Sequence, residues 1–97
     1  MPRMTDDQLV DALATLPSWQ RQDEELVREL TLSDSVAAIG FIVQVAALQE
    51  RADHHATITN TYNSVRIALT THDEGGITER DVALAREIES RARALGG

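Results

Sequence analysis

Cysteine is missing from this chain, and so is lysine. The first absence excludes disulfides, thiolate nucleophiles and thiolate metal sites. The second removes a side-chain amine for Schiff-base chemistry. All nine basic residues are arginine, set against sixteen acidic ones, for a formal charge of −7. Such a surface repels phosphate backbones, so neither nucleic acid nor an anionic membrane is an expected partner. Aromatic residues are reduced to Trp19, Phe41 and Tyr62, which implies an aliphatic core. The longest apolar run, residues 36–48, is broken by Gln44 and falls short of the roughly 20 residues of a membrane-spanning helix. The N-terminus lacks a charged-then-apolar leader pattern. A soluble, cytoplasmic protein is expected.

The 97 residues suffice for one domain with one modest core. Thr5-Asp6-Asp7-Gln8 reads as a capping box, followed by Leu9, Ala12, Leu13 and Leu16 at helical spacing, with Pro17 as the stop. Trp19-Gln20-Arg21 and the stretch 26–32, separated by an acidic turn at Asp23-Glu24, predict a hairpin. Leu26, Leu30 and Leu32 share a face on which Arg28 is the odd member. Ser33 and Asp34 are good N-terminal residues for a helix running to about Asp53. Its apolar residues cover more than one stripe, which predicts burial on two sides, one against a sheet and one in an oligomer. Residues 57–62 and then Val65, Ile67 and Leu69 predict two more strands, with the tight turn at Asn63-Ser64. After Gly75-Gly76, Thr78-Glu79-Arg80-Asp81 opens a last helix bearing Val82, Ala85, Ile88, Ala92 and Leu95. The order α-β-β-α-β-β-α predicts an α+β fold, a four-stranded antiparallel sheet with helices packed on one face.

Only three histidines occur, and all fall at the ends of these elements: His54, His55 and His72. Imidazole can give and take a proton near neutrality. Glu50 lies four residues before His54, so in a continuing helix the two share a face, either as an ion pair or as an oriented acid. His55 points elsewhere and by itself is a solvated residue at the negative helix end. His72 leaves the fourth strand beside a glycine turn, where a rigid scaffold leaves room for reactive groups. Asp81 is already accounted for as a cap. Trp19 fits the core or the wall of a flat ligand site. A zinc site has little support, since HExxH-type spacing is absent. No phosphate-binding glycine loop and no serine-nucleophile elbow is present. Taken singly, the histidines are as consistent with three unrelated surface residues as with one site.

The combined pattern is more specific. Glu50-x-x-x-His54-His55, Tyr62-Asn63, Thr71-His72-Asp73 and Gly76-Ile77-Thr78-x-Arg80-Asp81 resemble the pterin-4a-carbinolamine dehydratase family, and the likeness reaches upstream to Trp19, Leu30-Thr31-Leu32 and Gly40-Phe41. The resemblance implies dehydration of 4a-hydroxytetrahydropterin to quinonoid dihydropterin without metal or organic cofactor. It implies His54 and His72 as the acid/base pair, with Glu50 setting the state of His54. It implies substrate contacts from His55, Trp19, Asp81, Thr71 and Asp73. It also implies homodimers that extend the sheet and homotetramers built through the central helix. One departure stands out: the family usually has proline after the paired histidines, whereas this chain runs Ala56-Thr57-Ile58. The competing reading from the same resemblance is a catalytically silent interaction protein, as in relatives that partner homeodomain transcription factors or assist Rubisco assembly.

Overall fold

A computed structural model describes residues 2–96. Thr5 caps helix α1 (Asp6–Ala14): its hydroxyl accepts from the Gln8 amide at 3.1 Å, and the Gln8 side chain accepts from the Thr5 amide at 2.8 Å. Strands β1 (Trp19–Gln22) and β2 (Glu25–Thr31) form a hairpin whose Asp23-Glu24 turn has Asp23 at φ 54°. Asp34 accepts from the Ala37 amide and starts helix α2 (Ser35–Ala52). A second hairpin, β3 (Thr57–Thr61) and β4 (Ser64–Leu69), leads through a short 3-10 turn (His72–Glu74) to helix α3 (Glu79–Ala94). The four strands are antiparallel in the order β1-β2-β4-β3.

Two details differ from the sequence expectation. The second hairpin turns at Tyr62-Asn63, one residue earlier than Asn63-Ser64, and Ser64 already pairs with Thr61. Tyr62 takes the left-handed conformation there, with φ 52°. Nothing in its β-branched, aromatic surroundings marks it as a turn residue, because left-handed backbone is usually supplied by glycine or asparagine. The other difference is the short 3-10 turn after β4, where a plain loop was expected.

Alternation decides which sheet face is covered. Trp19, Leu26, Leu30, Val65, Ile67 and Leu69 join one core cluster with Leu9, Phe41, Val45, Leu48, Val82 and Ile88 from the helices. Gln20, Glu29, Thr59 and Arg66 occupy the opposite face, so the helices cover one side of the sheet. On α2 the inward stripe is Ala38, Phe41, Val45 and Leu48, while Val36 and Val43 stay 80% and 62% exposed. This leaves an apolar outer stripe. Among the described residues no helix is long and apolar enough to cross a membrane.

Arg28, the odd member of its strand face, lies inside this core beside Trp19 and Ile67. Glu89 on α3 resolves its charge. The carboxylate accepts from Arg28 Nε at 2.9 Å and Nη2 at 3.3 Å, and from the Trp19 indole N–H at 2.9 Å. Burial by itself pushes the Glu89 carboxyl up, but the hydrogen bonds from Arg28 and Trp19 outweigh it, and the net effect lies below the usual value of 4.5. A carboxyl whose folded pKa is depressed contributes stability above its unfolded pKa and loses it as pH falls through the folded value. Thermal stability is therefore expected to decline as pH drops below about 4.5, and to decline less steeply in Glu89→Gln. Glu89→Ala leaves a buried guanidinium unpaired and should cost about 3–5 kcal/mol by urea denaturation. The Arg28→Met/Glu89→Leu pair leaves no buried charge and should cost less than that single change.

Candidate active site

The C-terminus of α2 builds the site. Asp53 takes the left-handed conformation (φ 51°, ψ 45°), its amide bonds the Glu50 carbonyl at 3.3 Å, and the His54 amide bonds the Gln49 carbonyl at 3.1 Å. This is a Schellman ending with aspartate where glycine is usual. The chain reverses there, so the helical four-residue spacing no longer applies beyond Ala52.

The consequence is a correction. Glu50 does not meet His54; its carboxylate lies 2.6 Å from His55 Nε2, and both side chains are largely exposed. His54 instead turns inward, where its Nε2 lies 2.5 Å from Asp81 Oδ1. Asp81 is fully buried, and its Oδ2 accepts from the Thr71 hydroxyl at 2.8 Å and from the Thr78 amide at 2.9 Å. The Thr78 hydroxyl is left to donate to Thr71 Oγ1 at 2.9 Å while accepting from the Arg80 amide. A carboxylate form of Asp81 only accepts, and His54 Nε2 is then the donor between them. Among the described residues no buried side-chain nitrogen or oxygen lacks a partner. Among the described residues His54 Nδ1 has no hydrogen-bond partner, and it is therefore the ring atom open to solvent or to a bound molecule.

His72 comes to the same place from the other side of the fold. The Thr71–Gly76 bridge closes the loop after β4, with Gly75 at φ 68°, and lifts His72 into an exposed position. At Gly76 a Cβ would meet only the mobile ends of the exposed Glu24 and Arg3 side chains, at 2.6 and 2.7 Å, so a small side chain there would displace them at little cost. Asp53, His54, His55, Thr70, Thr71, His72, Asp73 and Arg80 together line a cleft of about 250 Å³.

Five expected site residues thus meet in one cleft: His54, His55, His72, Thr71 and Asp73. Asp81 lies beneath it, and Glu50 reaches it through His55. Trp19 does not join them. Its indole is packed in the core against Glu89, on the edge strand remote from β3 and the α2 terminus, which corrects its expected place in the pocket wall. Sequence reasoning missed Asp53, Thr70 and Arg80 as lining residues. Arg80 stood in the capping sequence and in the family pattern but was given no role there; its Nη2 donates to the Asp53 carbonyl at 2.7 Å and braces the histidine turn. A larger depression of about 430 Å³ on the open sheet face, around Glu29, Thr59 and Arg66, contains no histidine.

Comparisons with known proteins converge on one family. The Pterin 4 alpha carbinolamine dehydratase family pattern matches residues 2–91. A relative from Chloroflexus aurantiacus, provisionally named a pterin-4-alpha-carbinolamine dehydratase, is 47% identical over 92% of this chain and 96% of its own. A relative of the same provisional name from Thermomicrobium roseum is 45% identical over 95% of this chain and 99% of its own. The crystal structure of a transcriptional coactivator/pterin dehydratase from Brucella melitensis superposes with a TM-score of 0.89 at 38% identity, covering 93% of this chain and 98% of that one. A pterin dehydratase-like protein identified as a RuBisCO assembly factor in the alpha-carboxysome shares the fold, with a TM-score of 0.63 at 23% identity over 76% and 86% of the two chains. The chain belongs to the pterin 4 alpha carbinolamine dehydratase family.

Proposed function

We propose that this protein catalyses the dehydration of a 4a-hydroxytetrahydropterin to the quinonoid dihydropterin by histidine acid/base chemistry. The observation that carries this reading is the gathering of all three imidazoles at one cleft, with His54 held from behind by Asp81. The elimination needs two proton transfers. Hydroxide is a poor leaving group from C4a, so an imidazolium protonates it as the C–O bond breaks and it departs as water. A ring N–H proton passes to a base, and its bonding electrons form the new C=N bond. Each transfer is typically worth roughly 10²- to 10⁴-fold.

His54 and His72 are the pair assigned to these transfers. With Nε2 committed to Asp81, His54 exchanges its proton at Nδ1, and the carboxylate behind the ring keeps it in one orientation as its charge changes. The exposed His72 ring exchanges protons with substrate or water. Asp81 therefore takes the role toward His54 that the sequence alone gave to Glu50. Glu50 acts through His55, which binds substrate together with Thr71 and Asp73. The family resemblance assigns no resident cofactor, and the acid/base scheme uses none.

A second reading rests on a different observation. The outer stripe of α2, with Val36, Ile39 and Val43 exposed around Gly40, is unusually apolar for a water-facing surface. Strand β3 is an open edge carrying no charged residue, without the devices that normally protect edges. Self-association through the β3 edge and α2 fits both features and is compatible with catalysis. A purely assembling protein would use the same surfaces and have no need of the cleft.

The test is the decay of freshly generated 4a-hydroxytetrahydropterin, followed by ultraviolet absorbance. Wild type should accelerate it. His54→Ala and His72→Ala should each lower kcat by about 10²- to 10⁴-fold with circular dichroism unchanged. Glu50→Gln should raise KM by no more than about fivefold, the ceiling for an exposed ion pair worth ~1 kcal/mol, and spare kcat. Absence of acceleration by folded wild type would discard the dehydratase reading in favour of the assembling one. Val36→Glu/Val43→Glu should lower the mass measured by light scattering; an unchanged mass would remove α2 from the interface.

A further inference from the structure

His54 and His55 are adjacent, yet they are held in unlike ways. The His54 ring is buried and bonded to a saturated carboxylate. The His55 side chain is 53% exposed and among the described residues its ring hydrogen-bonds to Glu50, itself 74% exposed, so solvent screens their attraction. An exposed ion pair of this kind fixes a ring poorly. What fixes His55 has to come from the backbone on either side of it.

Both sides lead to Gln49. Its carbonyl accepts the His54 amide at 3.1 Å, and its side-chain Oε1 accepts the Ala56 amide at 3.1 Å. One residue in the last turn of α2 therefore brackets the histidine pair, gripping the chain immediately before His55 and immediately after it. The Ala56 bond spans seven residues and crosses the point where the helix has already ended. Gln49 and Ala56 are half-buried, and Ala56 packs on the core, so this bond is better shielded than the His55–Glu50 contact. Nothing else among the described residues bonds the Ala56 amide.

We propose that Gln49 is the positioning residue for His55, its side-chain amide oxygen holding the Ala56 N–H so that the imidazole is presented to the cleft in one orientation. The inference deepens the proposed function, because the consequence for catalysis rests on His55 binding the pterin. The clamp itself is testable without activity.

Gln49→Met keeps the side-chain length and removes the acceptor. Gln49→Glu restores an acceptor oxygen. By NMR, Gln49→Met should speed Ala56 amide exchange at least tenfold while the amides of Phe41 and Val45 keep their protection. It should also turn the His55 ring from one dominant tautomer to a mixture, and Gln49→Glu should return both readouts toward wild type. In steady-state dehydration, Gln49→Met should raise KM about three- to tenfold with kcat within twofold, since His54 and Asp81 are not touched. In an Ala56→Pro background, which has no N–H to hold, Gln49→Met should change nothing further. Unchanged Ala56 exchange in Gln49→Met would overturn the clamp. Faster exchange with an unaltered His55 tautomer and KM would overturn the positioning role. Should wild type show no dehydration, the function fails separately, and the exchange and tautomer readouts decide the clamp alone.

Discussion

A single carboxylate without solvent contact carries more of this structure than its size suggests. Asp81 accepts the Thr78 amide, which closes the N-terminus of α3; the Thr71 hydroxyl, which fastens the end of β4 and the loop bearing His72; and His54 Nε2, which draws in the end of α2. Three elements distant in sequence are thereby registered at one point. An ionised carboxylate buried without partners would be prohibitively costly, so each donor is required by the others. The network is closed as well as crowded, since the Thr78 and Thr71 hydroxyls hand their protons along toward it. A rigid base for the cleft follows from the same bonds that begin the last helix.

The other half of α3 does comparable work in the core. Glu89 joins Arg28 of β2 and Trp19 of β1, so the helix that anchors the cleft at its start also anchors the far sheet edge further along. Between these polar anchors Val82, Ala85, Ile88 and Ala92 supply the ordinary hydrophobic contact. The two ends differ in chemistry. Near the cleft a carboxylate meets neutral donors and an imidazole. Away from it the carboxylate meets a permanent cation, and the site is structural.

Much of this was legible from residue order. Both capping boxes were visible because their partners lie three residues apart, and the alternation of Val65, Ile67 and Leu69 identified the covered face of β4. Family likeness brought the three histidines together. What escaped depends on single backbone angles. Left-handed Asp53 ends the helix periodicity and exchanges the partners of His54 and His55, and left-handed Tyr62 moves the hairpin turn. Tyrosine gives no hint of that conformation by type, and aspartate visits it only occasionally. Arg28 and Trp19 were equally opaque, because their common partner Glu89 lies 61 and 70 residues away.

The identity of that buried cation also bears on how the chain comes to be folded during synthesis. A lysine could shed its proton in a partly formed interior, but guanidinium cannot. Strand β2 therefore leaves the ribosome with a fixed positive charge on the face it must later bury. Its counterion is delivered only with the last helix. Until then a collapsed sheet would enclose an unmatched ion, which disfavours premature closure of the nascent chain. Chain order and core chemistry together tie burial of Arg28 to the arrival of α3.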